Sequence, residues 1–223
     1  MGNHILKIIT INNLTHDVLR ITTNKPVGLD FKPGQAANLS INKSGWLKEI
    51  RPFSFTNLPS NISLEFTIKT YPEHESVTNE LLDLTQDDEL ILHEVFGTIS
   101  YKGEGVFIAG GAGITPFISI IRNLKAKNEI GANMLLFANK TKADIILESE
   151  FNGLLGAAFV NILSEEQVDT YHYGRITEEF LRENVTDFKQ QFYICGPPPM
   201  INEVEKQLIH LKVNKDQVTK ETF

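Results

Sequence analysis

One cysteine, Cys195, in 223 residues rules out an internal disulfide, a four-cysteine zinc site and an iron–sulfur cluster held by this chain alone. No apolar run approaches the roughly 20 residues needed to cross a bilayer as a helix, so no integral membrane segment is expected. The start, Met-Gly-Asn-His-Ile-Leu-Lys7, has no apolar signal core, which leaves the cytoplasm as the expected compartment. An excess of basic charge is also lacking: the formal net charge is -7, which argues against a nucleic-acid partner, since phosphate backbones are bound by basic surface. His4, His16, His74, His93, His172 and His210 show no metal-ligand spacing. There is no internal repeat and no low-complexity segment. What remains is globular, with 41% hydrophobic and 22% charged residues, and long enough for two ordinary domains.

The two halves have different rhythms. Up to about residue 100 the pattern is one of short strands: Ile5–Thr10, Val18–Thr22, Ala37–Ile41, Ile62–Thr70 and Glu89–Leu92, separated by turns such as Lys32-Pro-Gly34. Leu64, Phe66 and Ile68 alternate and should face a core. One short helix is expected at Thr78–Leu84. Strands at this spacing suggest a small barrel. From Gly105 on, short continuous apolar runs (Val106–Ala109, Met134–Ala138, Phe159–Leu163, Phe192–Ile194) read as buried parallel strands. Between them lie helical patterns. Ile114, Phe117, Ile118, Ile121 and Leu124 form one apolar stripe, and Ile201, Val204, Leu208 and Leu211 another. Glu148–Leu154 and Thr177–Glu183 are shorter helices, with Thr177 at a helix start. The expected architecture is a β-barrel domain, residues 1–102, followed by an α/β domain with a doubly wound parallel sheet, residues 103–223.

Three segments carry chemistry. In Val106-Phe-Ile-Ala-Gly-Gly-Ala-Gly-Ile-Thr-Pro-Phe117, a buried strand ends in Gly110, Gly111 and Gly113 just before a helix. Bare backbone and helix N-terminal amides suit a diphosphate; a merely tight strand–helix turn would read the same. In Arg51-Pro-Phe-Ser-Phe-Thr-Asn57, period two puts Arg51, Phe53 and Phe55 on one face and Pro52 and Ser54 on the other. A flavin needs a cation for its phosphates, an aromatic wall and a hydrogen-bond partner for ring atom N5. An ordinary barrel strand with a surface arginine is the alternative. In Phe192-Tyr-Ile-Cys-Gly-Pro-Pro-Pro-Met200, a buried strand stops at Cys195, and Gly196 permits close approach of a ligand. Cys195 is either an inert core thiol or, by its place at a strand end, part of a ligand rim shared with Gly110–Gly113.

Together and in this order the segments resemble the ferredoxin–NADP reductase superfamily over nearly the whole chain, with Phe31-Lys-Pro-Gly-Gln35 similar to its turn before the flavin strand. The resemblance implies a flavoprotein holding FAD, with FMN the lesser alternative. It places Arg51 and Pro52 at the flavin, with Arg51 on the pyrophosphate, Phe53 against the ring or ribityl chain and Ser54 near N5. Lys69, Thr70 and Tyr71 would pass the flavin by their backbone, and Ser76, Val77 and Thr78 would start a phosphate-binding helix. Gly110, Gly111, Gly113, Thr115 and Pro116 would form the dinucleotide loop, and Cys195, Gly196, Pro197 and Met200 the nicotinamide site. Glu221 and the terminal Phe223 resemble the family's chain end, with Phe223 stacked on the flavin and Glu221 near Ser54 and Cys195. The chain departs from the family pattern at Glu75, where glycine is usual, and at Glu94-Val-Phe-Gly97, where a Gly-Pro pair is commoner.

The implied activity is hydride transfer from a nicotinamide to FAD, with electrons passed on to a separate redox acceptor such as ferredoxin or flavodoxin, or to a small molecule. Ser54, Cys195, Glu221 and Phe223 are the expected catalytic set, with no metal. An NAD(P)H flavin or quinone reductase, a non-catalytic electron relay within a complex and a flavin-free binding module are the alternatives. The stretch Leu163-Ser-Glu-Glu166 stands where the family reads the ribose 2′ position. Ser164 suits either cofactor, but Glu165 and Glu166 oppose a 2′-phosphate, which favours NADH over NADPH. Lys140 or Arg175, turned inward, would favour NADPH.

Overall fold

The computed structural model describes residues 3–71, 76–97 and 99–222. His74, Glu75 and Phe223 lie outside the described residues. Two compact units result: Met1–Gly97 with Thr115–Asn123, and Thr98–Ile114 with Leu124–Phe223.

The first unit is built on six antiparallel strands: β1 (His4–Thr15), β2 (Val18–Asn24), β3 (Ala36–Ile41), β4 (Arg51–Ser54), β5 (Ser63–Lys69) and β6 (Glu89–Phe96), in the order β4-β3-β6-β1-β2-β5. Strand β1 pairs with β6 through His4–Lys7 and with β2 from Ile8 to Thr15. Register shifts at Ile8/Thr10 and Asn13/Thr15 let it turn from one neighbour to the other. The two outer strands meet: Phe55, just past β4, bridges Phe66 of β5, and Thr56 N donates to Glu65 O across 2.9 Å. The sheet thus closes on itself as a barrel. Leu64, Phe66 and Ile68 do point into its core, with Leu6, Ile21, Leu39, Ile41, Leu90 and Leu92. Phe55 stacks on Phe31 at 4.0 Å and tilts against Phe66 at 5.3 Å. Trp46, partly buried, packs against this core. The expected helix is a single turn, α1 (Val77–Glu80), continued as a 3-10 turn at Leu81–Asp83.

The second unit holds a parallel sheet: β7 (Gly105–Gly110), β8 (Met134–Asn139), β9 (Phe159–Leu163), β10 (His172–Tyr173), β11 (Gln191–Gly196) and β12 (Val218–Thr222), ordered β10-β9-β8-β7-β11-β12. Every residue of β7 is buried, as its continuous apolar run requires. Helices α2 (Thr115–Ala126), α3 (Glu148–Leu155), α4 (Glu178–Asn184) and α5 (Pro198–His210) follow in the chain. The first nine residues of α2 belong to the first unit. Thr177 caps α4, its side chain accepting from Phe180 N. Helices α4 and α5 bury Phe180, Leu181, Ile201, Val204 and Leu208 with Val106, Ile108, Leu136 and Ile194 of the sheet. Strand order runs outward from β7 through β8 and β9, then reverses to β11 and β12. The reversal lies between β7 and β11, and a doubly wound sheet takes its ligand outside the strand ends at such a point.

Candidate nucleotide sites

The glycine turn sits at the reversal. A 3-10 turn at Gly111–Ile114 links β7 to α2, and β11 ends beside it. The glycines do different work. A Cβ on Gly113 would lie 2.2 Å from Cys195 O and 2.6 Å from Gly196 Cα, and one on Gly110 would meet Met200 Sδ at 2.5 Å. These two are bare so that the turn can close against β11 and α5. Gly111 has φ +51, and a Cβ there would meet nothing within 4 Å. Of the three, Gly111 is therefore the one required by backbone conformation rather than by packing, with open space beside it. Gly196 is buried, Met200 half-buried and Pro197 exposed at the N-cap of α5.

Cys195 is fully buried. Its in-register neighbours are Ala109 on β7 and Glu221 on β12. Burial, and after it the charge of Glu221, pushes the thiol far above its usual range. Cys195 stays a neutral thiol and offers shape and a weak S–H donor rather than a thiolate.

In the first unit Arg51 is half-exposed at the start of β4, donating to Ile50 O at 2.8 Å and pairing with Glu49 at 3.3 Å. Phe53 is partly buried against the barrel core. The row Arg51, Phe53, Phe55 thus runs from the barrel surface into its interior. On the other face Ser54 is buried, and Thr115 Oγ1 donates to Ser54 Oγ across 3.2 Å. Thr115 and Pro116 are themselves buried. Lys69 is paired with Asp17 at 2.8 Å, and Thr70 donates both its N–H and its hydroxyl to Asp17 O. The Thr70 amide is therefore spent inside the fold. Tyr71 is exposed. Ser76 holds the N-cap position of α1 with no side-chain bond to the helix backbone, its hydroxyl lying 2.9 Å from that of Thr78, and Val77 is buried in the core.

After β9, Ser164 N donates to Asn139 O, and Lys140 reaches Glu165 at 3.3 Å with both side chains largely exposed. Glu166 accepts from Lys142 N at 2.7 Å. Arg175 is exposed. Lys140 is thus partnered by a carboxylate rather than held free for a phosphate.

Some site features have no counterpart in the local sequence pattern. Arg122 Nη1 donates to Thr56 O at 2.8 Å and to Glu65 Oε1 at 2.6 Å, and Gly34 N donates to Ser119 Oγ at 2.9 Å. The side-chain amide of Asn139, at the end of β8, is buried with neither atom hydrogen-bonded among the described residues. An asparagine ending an apolar strand one position past the end of a neighbouring glycine strand is a signal that could have marked it.

An antiparallel barrel with a cation–aromatic–hydroxyl strand, joined in one chain to a doubly wound sheet with a glycine turn at its reversal, defines a protein that binds two nucleotides. Residues 3–111 match the family model described as an FAD-binding domain, and residues 107–206 that described as an oxidoreductase NAD-binding domain. The chain belongs to the ferredoxin–NADP reductase-like superfamily. It is 30% identical over 236 residues to the reductase component of propane 2-monooxygenase from Mycolicibacterium goodii, covering 97% of this chain and 66% of that protein. It therefore spans just under two thirds of that relative's length. Among solved structures, it superposes on the flavohem-like FAD/NAD-binding domain of nitric oxide dioxygenase from Vibrio cholerae O1 biovar El Tor with a TM-score of 0.87, at 21% identity, covering 100% of this chain and 99% of that one. A ferredoxin NADP+ reductase from Neisseria gonorrhoeae, with bound FAD and NADP, gives 0.86 at 18% identity, with the same coverage. These two likenesses are of fold.

Proposed function

We propose that the chain is an NAD(P)H-dependent flavoprotein reductase that passes a hydride from the nicotinamide to FAD and then electrons to a separate redox acceptor. The observation that carries this is Gly111, open and left-handed at the sheet reversal, in a chain whose barrel ends its flavin-motif strand in a buried hydroxyl. These residues fit the two groups. Gly111 leaves the space a phosphate needs, and the Ser54 hydroxyl hydrogen has no acceptor among the described residues. When bound, the two cofactors supply hydride donation and hydride acceptance.

The side chains position and tune. Arg51 exchanges its Glu49 carboxylate for the flavin pyrophosphate, Phe53 lines the ring or ribityl chain, and Ser54 donates toward N5. Lys69, Thr70 and Tyr71 present backbone, although Thr70 has only its carbonyl to give; Ser76, Val77 and Thr78 flank a phosphate. Gly111 admits the dinucleotide phosphates, while Gly110 and Gly113 let the turn close. Thr115 and Pro116 begin the helix behind that turn. Gly196, Pro197 and Met200 shape the nicotinamide end, and Cys195, kept neutral, excludes water there. Glu221 sets the local charge beside Cys195, and Phe223 keeps the stacking role its resemblance implies. Ser164 meets the adenosine ribose, and Glu165 disfavours a 2′-phosphate, which makes NADH the preferred donor.

The acceptor is a second molecule, and a ferredoxin or flavodoxin suits the reading; the Mycolicibacterium relative is by name a reductase component of an oxygenase. No helix among the described residues is long and apolar enough to cross a membrane. The test is anaerobic titration of the FAD-loaded protein with NADH and with NADPH, followed optically. Bleaching of the flavin band by NADH at stoichiometric amounts is expected. A protein that takes up no flavin, or a bound flavin that neither nucleotide bleaches, rejects the reading.

A further inference from the structure

The geometry points to Thr115 as a positioning residue that fixes the Ser54 hydroxyl as a hydrogen-bond donor, an inference that rests on the flavin reading above. By motif, Thr115 belongs with the glycine turn. In the structure it is tied, within the first unit, to the flavin-motif strand: its Oγ1 donates to Ser54 Oγ across 3.2 Å, with the two residues 7% and 3% exposed. The same stretch is anchored twice more. Ser119 Oγ accepts from Gly34 N, and Arg122 holds Thr56 O and Glu65. Thr115 is thereby held over three successive attachments to the barrel.

A hydroxyl has one hydrogen to give and two lone pairs to receive. Thr115 occupies one lone pair of Ser54. Among the described residues no group accepts the Ser54 hydrogen, so that hydrogen is left for an acceptor outside the chain. Accepting from Thr115 also polarises the Ser54 O–H and makes it the better donor. Oxidised isoalloxazine presents N5 as a bare acceptor, whereas the reduced ring carries a hydrogen there and presents a donor. A Ser54 hydroxyl held as donor matches the oxidised ring and opposes the reduced one. Thr115, acting through Ser54 and not on the ring itself, therefore lowers the reduction potential of the bound flavin.

The test is the midpoint potential of the FAD-loaded protein, by equilibrium titration against a reference dye. Thr115→Val keeps the side-chain shape and removes the donor, Thr115→Ala does so without filling the space, and Thr115→Ser restores the hydroxyl. Valine and alanine should raise the potential, changing the ratio of reduced to oxidised flavin affinity about threefold to tenfold. The tenfold end is about 30 mV for a two-electron couple. Serine should return the wild-type value. In a Ser54→Ala background, Thr115→Val should leave the potential unmoved. An unchanged potential in both valine and alanine variants, or the same rise in the Ser54→Ala background, overturns the inference and leaves the flavoprotein reading standing. Wild-type protein that binds no FAD overturns both.

Discussion

Cys195 on β11 and Glu221 on β12 are register partners in the parallel ladder, so the chain's single thiol has a carboxylate residue as its direct sheet neighbour. Both the burial of Cys195 and the charge of Glu221 oppose a thiolate, and the thiol is pushed far above its ordinary value of 9.0. The strand end read from the motif as a ligand rim carries a thiol that stays protonated.

The native thiol should therefore resist an aromatic disulfide reagent between pH 7 and 9, and denaturant should release one reactive thiol per chain. The pH dependence of stability follows the same shift. An unfolded thiol loses its proton near 9.0, and the folded one only at a much higher pH. The unfolded state therefore sheds the proton first, and this contribution is complete below pH 9 and is lost as pH rises above it. Urea midpoints of wild type and Cys195→Ala at pH 8 and 10 measure it. The wild type should fall more between the two; parallel declines would mean that Cys195 is not shielded.

Gly113 and Gly111 should respond differently to a methyl group. Alanine at 113 places Cβ 2.2 Å from Cys195 O, a backbone atom that moves only if the end of β11 moves. A loss of about 3 kcal/mol or more is expected. Alanine at 111 meets nothing within 4 Å and suffers only its φ of +51, costing about 1–2 kcal/mol. The Gly111→Ala protein should fold and bind NADH more weakly. Chemical denaturation ranks the two variants, and equal losses would remove the distinction between a packing glycine and a ligand-facing one.

That distinction shows where sequence reading stops. Strands β7 and β9 were legible because Val106–Ala109 and Phe159–Leu163 are continuous apolar runs, and β5 because Leu64, Phe66 and Ile68 alternate. The barrel followed by a doubly wound sheet came from the change between those two rhythms. Strand β12 was not legible: Val218-Thr-Lys-Glu-Thr222 has one strongly apolar residue, and it is a strand because β11 offers it a ladder. Nor was the second partner of the flavin-motif strand. Thr115 reads locally as a member of a glycine loop, while Ser54 lies 61 residues earlier; no periodicity records a contact of that span. The three glycines look alike in the motif, and only packing separates Gly111 from Gly110 and Gly113.

Arg122 should matter to stability more than a surface arginine does. Its guanidinium and the Glu65 carboxylate are each less than one fifth exposed, and it also satisfies Thr56 O. Arg122→Ala removes those bonds together and leaves Glu65 with the Thr56 hydroxyl at 2.7 Å and Arg20 at 3.6 Å. About 2 kcal/mol of destabilisation is expected, most of it from groups left without their partner. Arg122→Lys should recover only part: Nη1 alone serves both acceptors, but the shorter lysine stem places its ammonium differently and lacks the planar guanidinium that is pre-organised for them. A double-mutant cycle with Glu65→Gln should show coupling of about 1 kcal/mol; additive losses would place the energy elsewhere.

Under the proposed reading, nucleotide choice turns on Glu165. Its carboxylate sits 3.3 Å from the Lys140 ammonium, so one of the two cations that could greet a 2′-phosphate here is already offset by a negative neighbour. Wild type should have the higher kcat/KM with NADH. Glu165→Arg reverses the charge at the position and releases Lys140, so the NADPH-to-NADH ratio of kcat/KM should rise at least tenfold, about 1.4 kcal/mol of transition-state binding. Glu165→Gln, which only removes the charge, should give a smaller rise in the same direction. If both variants keep the wild-type ratio within twofold, the carboxylate faces away from the ribose, and the exposed Arg175 becomes the residue to change next.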